Sequence, residues 1–200
     1  MTKPQSLLQL VGAPGHPSPL AQSALVLIDI QREYLDGALP LDKVREAAGE
    51  AAKLLELARR NGVPVIHIVH AEADGGPLFN PATRNIDLLA EVAPQGHEPV
   101  LRKAFANAFI GTELDAKVKA TGRSELIIAG NMTHLCVSAT ARAAAEQYGY
   151  RVTVVADATA TRDLPNPLGG VVAAETVRQT ALTELADGFA VVVKDTGAWG

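Results

Sequence analysis

Five short apolar runs, each ending at or beside a polar residue, constrain this chain more than any other feature. They are ALVLIDI at 24–30, VPVIHIVH at 63–70, SELIIAGN at 124–131, RVTVVAD at 151–157 and FAVVVKD at 189–195. Continuous apolar runs of this length are the pattern of strands buried on both faces. Between the first two, Leu41, Val44, Ala48, Ala51, Leu55 and Ala58 recur at spacings of three and four, the mark of a helix over 42–61. Asp42 can cap its start, and Asn61-Gly62 with Pro64 beyond gives it a stop. Helices are expected likewise from Thr112 to Thr121, from Leu135 to Tyr148 and from Val171 to Ala186, stopped near Gly122, Gly149 and Gly188. VLRK at 100–103 reads as a further short strand. Strands that alternate with helices pair in parallel, because only a crossover helix can link parallel neighbours. The expected fold is therefore α/β: a doubly wound, mostly parallel sheet with helices on both faces, in a single domain over 24–200. Pro4, Pro14, Pro17 and Pro19 make residues 1–23 an irregular arm.

Composition removes several classes of function. The net charge is -4, the 18 Lys and Arg are scattered, and aromatic residues make up 4%. Nucleic-acid and anionic-membrane partners need a clustered basic face, so neither is expected. The single cysteine allows no internal disulfide and fits a reducing compartment. No signal-peptide pattern and no apolar stretch long enough to span a bilayer is found, so a cytoplasmic protein is expected.

In doubly wound sheets, ligands bind beyond the carboxyl ends of the strands. Asp29, Lys103 and Cys136 all fall at that rim. Each has a plain structural reading: an acid in a cap or ion pair, a surface lysine, an inert buried thiol. Cys136 sits at an expected helix start, where positive potential favours the thiolate. Together, a thiolate beside a lysine and a carboxylate make a nucleophile with its own proton shuttle.

LIDIQREY at 27–34, LRKAFANAF at 101–109 followed by GTEL, and AGNMTHLCVSATARAAAEQYGYRVTVVADATAT at 129–161 resemble the isochorismatase-like cysteine hydrolases. That group includes nicotinamidases and N-carbamoylsarcosine amidase, and the match runs from about Ala24 to Val193. The resemblance implies a Rossmann-like three-layer sandwich. It implies Cys136 as nucleophile, Asp29 as general base and acid, and Lys103 as the lysine that favours the thiolate. It also implies a cis peptide at Asn131–Met132, an oxyanion hole from the backbone N–H groups of Met132 and Cys136, and a homo-oligomer. The implied reaction is hydrolysis of a C–N bond, amide or ureido, in a small molecule through a thioester. Vinyl-ether or ester hydrolysis, a peroxide-reactive thiol and a non-catalytic binding homologue are the alternatives.

Nicotinamidases carry an Asp-x-His metal motif after the second strand, where this chain has His70-Ala71-Glu72-Ala73-Asp74. No metal or other cofactor is therefore expected, and no G-x-G-x-x-G or P-loop is found. A zinc site from His70, Asp74 and His97 is the contrary reading. His67 reads as a packed strand histidine, on the opposite face from His70. Candidate pocket residues are Gln31, Tyr34, His70, Phe79, Phe109, Asn131 and His134, with Phe105 as a further wall. Asn107 stands where the family often has serine. Arg84, Arg102 and Arg162 are available for a carboxylate on the substrate. The loops at 71–98 and 162–170 are expected to set specificity.

Overall fold

The computed structural model describes residues 3–200. Of the expected arm, Met1 and Thr2 lie outside the described residues. The rest of the arm is not wholly irregular. A four-residue helix α1 (Leu7–Leu10) forms in it, started by a capping box between Ser6 and Gln9.

The central sheet takes six strands: β1 (Ser23–Ile28), β2 (Val65–His70), β3 (Val100–Lys103), β4 (Glu125–Asn131), β5 (Arg151–Ala160) and β8 (Val191–Val193). Their order is β3-β2-β1-β4-β5-β8, and every pairing is parallel. Side chains alternate between faces along each strand. Leu25, Leu27, Val65 and Ile127 pack against helix α2 (Val44–Arg60) through Ala51, Leu54 and Leu55. Val26, Ile28, Ile68, Leu126 and Ile128 face the other way. They meet α3 (Leu114–Ala120), α4 (Ser138–Glu146) and α5 (Ala174–Gly188) through Leu114, Ala141 and Leu185. Each fully buried Leu or Ile contributes about 1.5–3 kcal/mol, so these two apolar layers hold the sandwich together.

Local chemistry moves several boundaries. Asp42 does not cap α2: it is exposed, and its backbone N–H bonds the Thr161 carbonyl instead. Lys43 takes the position before the helix in a left-handed conformation. Residues 133–137 form one turn of π-helix before α4 begins. The loop after β5 contains a small antiparallel hairpin, β6 (Leu164–Pro165) with β7 (Val171–Val172), which delays α5 to Ala174.

At Gly130, near the end of β4, that strand approaches β1 closely. The glycine's φ is +126°, and an added Cβ would lie 1.9 Å from the Ile28 carbonyl oxygen of β1. Gly49, inside α2, has nothing within 4 Å of that position. Gly130→Ala is expected to cost more than about 3 kcal/mol, since both backbone and conformation oppose it. Gly49→Ala should add about 0.5–1 kcal/mol of stability. Urea denaturation of both variants checks this; equal midpoints would refute the packing described at Gly130.

Candidate active site

Beyond their ladders, the ends of β1, β2, β3 and β4 converge on one buried ammonium. Lys103 closes β3, and its Nζ lies 2.7 Å from Asp29 Oδ2, with both side chains 0% exposed. The same Nζ donates to Sγ of Cys136 at 3.3 Å and to Nδ1 of His70 at 2.9 Å. Asp29 follows β1 with φ +51°, a left-handed turn that takes it out of the strand direction. Cys136 lies in the π-turn after β4 and is 2% exposed. His70 ends β2, and its Nε2 lies 2.8 Å from Oε1 of Glu72. An imidazole that accepts at Nδ1 must carry its proton on Nε2, so the Glu72 contact selects the tautomer the lysine needs.

Side-chain amides lock this geometry. Gln31 accepts from the His70 N–H and donates to the His70 and Ile86 carbonyls, each at 2.9 Å, imitating a strand partner where the ladder has ended. Asn131 donates to the Asp29 carbonyl at 3.4 Å and accepts from the Ala160 N–H at 3.2 Å, tying β1, β4 and β5 together. The Asn131–Met132 peptide bond is cis.

The electrostatics follow from burial. Loss of water raises the Asp29 carboxyl above its ordinary range, while Lys103 and then His70 pull it back. Burial pushes the Cys136 thiol up to about 12; the charge of Asp29 adds to this and Lys103 opposes it. This runs against the depressed thiol pKa expected at a helix start: desolvation first, then the neighbouring carboxylate, push the thiol the other way.

Cys136 opens into a cavity of about 540 Å³. Of the expected pocket residues, Tyr34, His70 and Phe79 line it, together with Met132, which was expected at the oxyanion hole. Gln31 and Asn131 do not; they are buried struts behind it. His134 turns away to Thr161, its Nδ1 2.6 Å from that hydroxyl. Phe109 is not a cavity wall either: it is core, stacked on Tyr148 at 4.1 Å. Phe105 is exposed, and Asn107 caps the Phe109 N–H. His67 is packed as expected, against Glu98 at 3.0 Å. Of the three arginines, Arg162 reaches the cavity. The lining that sequence did not single out includes Leu39, Glu72, Pro77, Leu78 and Leu135. The loop at 71–79 was marked by its length, but no periodicity tells which of its residues turn inward.

A metal reading meets a physical obstacle. Among the described residues, the group of donors that comes together is Asp29, His70 and Cys136, with ligand atoms within 4.8 Å of one another. The Lys103 ammonium stands at contact distance from all three. Asp74 and His97 do not join His70, so the zinc site drawn from those three is not formed.

The isochorismatase domain model matches residues 23–196. The chain is 35% identical over 188 residues to the secreted isochorismatase effector Isc1 of Verticillium dahliae, covering 94% of this chain and 96% of that protein. It is 33% identical over 188 residues to the maleamate amidohydrolase of Pseudomonas putida, covering 81% of this chain and 86% of the relative. A solved structure of an isochorismatase from Pseudomonas putida KT2440 matches with a TM-score of 0.90 at 38% identity, over 96% of this chain and 97% of that one. The chain belongs to the isochorismatase family of hydrolases, and its parallel sheet is that family's fold. No helix among the described residues is long and apolar enough to cross a membrane.

The thiol environment gives a direct test. Alkylation of Cys136 by iodoacetamide should keep accelerating with pH beyond 9.0, the thiol's ordinary value. Asp29→Asn removes a charge that holds the proton on sulfur, so its profile should shift to lower pH. Lys103→Met removes the opposing charge and should shift it higher. A native profile that levels off below that ordinary value would mean the thiolate is already favoured at rest.

Proposed function

We propose that this chain is a cysteine amidohydrolase that cleaves a C–N bond of a small amide or ureide through a thioester on Cys136. One observation carries the reading: a single ammonium touches both the carboxylate of Asp29 and the sulfur of Cys136, at the floor of a cavity of small-molecule size. The maleamate amidohydrolase relative supports amide chemistry.

In the proposed reaction the Cys136 proton passes to Asp29 as sulfur attacks the carbonyl carbon. The backbone N–H groups of Met132 and Cys136 serve as donors to the oxyanion, a contribution of about 3–4 kcal/mol per donor in such sites. Asp29 then returns the proton to the leaving nitrogen, and the C–N bond breaks to release an amine and leave a thioester. Water adds to the thioester, giving its proton to Asp29, and the carboxylic acid leaves as the thiol is restored. Asp29 serves as base and then as acid, which suits a carboxyl raised by burial toward the working pH.

The test is a panel of small amides, ureides, esters and vinyl ethers, read by release of amine and acid. Cys136→Ala, Asp29→Asn and Lys103→Met should each reduce amide turnover by about 100- to 10,000-fold without loss of fold by circular dichroism. Turnover should survive a chelator. Amide turnover that persists in Cys136→Ala would sink the reading, and cleavage of vinyl ethers or esters alone would replace the bond.

A further inference from the structure

Glu33, in the turn after β1, is a buried carboxylate that the acid–base set does not use. It is 1% exposed, and it pairs with no Lys, Arg or His among the described residues. A carboxylate is costly in such a place unless hydrogen bonds replace its water. Here they come from the main chain. Oε1 accepts from the Ala38 N–H at 2.7 Å and Oε2 from the Phe79 N–H at 3.1 Å. The Glu33 carbonyl also accepts from the Leu39 N–H at 3.3 Å. The chain folds back tightly over this carboxylate at Gly37, where an added Cβ would lie 2.6 Å from the Glu33 Cα. Hydrogen bonds to a charged acceptor are about twice as strong as neutral ones, so Glu33 is a firm clamp.

What it clamps is cavity wall. Leu39, Leu78 and Phe79 line the cavity of Cys136 and pack in one cluster with Tyr34 and Met132. Phe79 has φ +47°, a left-handed conformation that a bulky residue keeps only where its surroundings enforce it. Glu33 holds its N–H, and the Glu72 N–H donates to its carbonyl at 3.1 Å. The ring is thereby fixed with its centre 4.7 Å from that of His70 and 5.2 Å from that of Tyr34. Glu33 itself does not line the cavity.

We propose that Glu33 is a positioning residue that sets the width of the cavity over Cys136, selecting by bulk the molecules that reach the sulfur. It acts through Leu39 and Phe79, whose two segments part when the carboxylate no longer ties them together. The inference rests on the reading of this cavity as the site of hydrolysis.

The experiment compares the rates at which iodoacetamide and the bulkier, equally uncharged N-cyclohexyl iodoacetamide alkylate Cys136. An amide in place of the carboxylate turns an N–H toward one of the two main-chain donors, so Glu33→Gln loses one bond of the clamp. The ratio of bulky to small reagent should then rise by at least about threefold, the scale of one hydrogen bond. Phe79→Ala, which removes the wall itself, should raise it too. The pH profile for iodoacetamide should stay that of the native chain in Glu33→Gln. Glu50 is the control, a carboxylate 8% exposed that accepts from the Thr196 N–H and hydroxyl and does not line this cavity. Glu50→Gln should leave the ratio unchanged. An unchanged or lowered ratio in Glu33→Gln or Phe79→Ala, a rise shared by Glu50→Gln, or a shifted pH profile would overturn the assignment. If Glu33→Gln does not fold, Glu33→Asp takes its place: it keeps the charge but falls one methylene short, and an unchanged ratio there overturns the assignment instead. Turnover separates this inference from the one beneath it. Cys136-dependent cleavage of acetamide and cyclohexanecarboxamide in a proportion indifferent to Glu33→Gln leaves the hydrolase and removes the positioning role. A raised alkylation ratio with no amide cleaved does the reverse.

Discussion

The contact between Asp29 and Lys103 sets the terms for the rest of the molecule. Both side chains are 0% exposed and lie 2.7 Å apart. A lone charge in that position would cost several kcal/mol, and removing one partner from such a pair typically costs about 3–5 kcal/mol. The pair forms only because the sheet order is β3-β2-β1, which puts the ends of β3 and β1 on either side of β2. His70 closes the strand between them, and its Nδ1 accepts from the same ammonium. Three neighbouring strands thus each send one polar group to a single point, and a different strand order would leave a buried carboxylate without its cation.

Holding those groups there falls to residues that do not line the cavity. Gln31 binds the His70 backbone on both its N–H and its carbonyl. Asn131 fastens Asp29 to the end of β5. Beside them Gly130 lets β4 approach β1 closely enough to bring the turn before Cys136 over Asp29. Side-chain amides suit this work because each offers a donor and an acceptor in one plane, as a peptide group does. The expectation that Gln31 and Asn131 line the pocket followed from their nearness in sequence to Asp29 and Cys136. Their amides are spent on backbone, so they shape the site from behind.

What was legible in the sequence divides along the same line. The strands announced themselves, because a sheet covered on both faces requires runs such as Leu25–Ile28 and Leu126–Ala129 to be apolar without interruption. The rim residues Asp29, Lys103 and Cys136 followed from the fold, since the carboxyl ends of parallel strands share one edge. Helix starts were less legible. The π-turn at 133–137 has no composition of its own, and Asp42 looked like a cap until Thr161 took its backbone N–H. The cavity walls were least legible of all. Leu39, Glu72 and Leu78 come from irregular segments whose side-chain directions depend on tertiary contact, and Phe109 and Phe79 look alike in sequence although one is core and the other wall.

The thiol shows why position in the chain was a poor guide to charge. A helix start favours a thiolate by a modest local potential, whereas enclosure beside Asp29 pushes Cys136 up to about 12. That value describes loss of the proton to solvent with the carboxylate still charged, and the proposed reaction does not take that route. When the proton moves from sulfur to Asp29, the site changes from carboxylate, ammonium and thiol to carboxylic acid, ammonium and thiolate. One negative and one positive charge are buried before and after. Lys103 is in contact with both anions in turn, at 2.7 Å from the oxygen and 3.3 Å from the sulfur. The desolvation that makes a free thiolate costly therefore largely cancels between the two states, and what remains is the difference between two ion pairs sharing one cation. Burial, which opposes ionisation of either acid alone, is in this arrangement what keeps the proton passing between them.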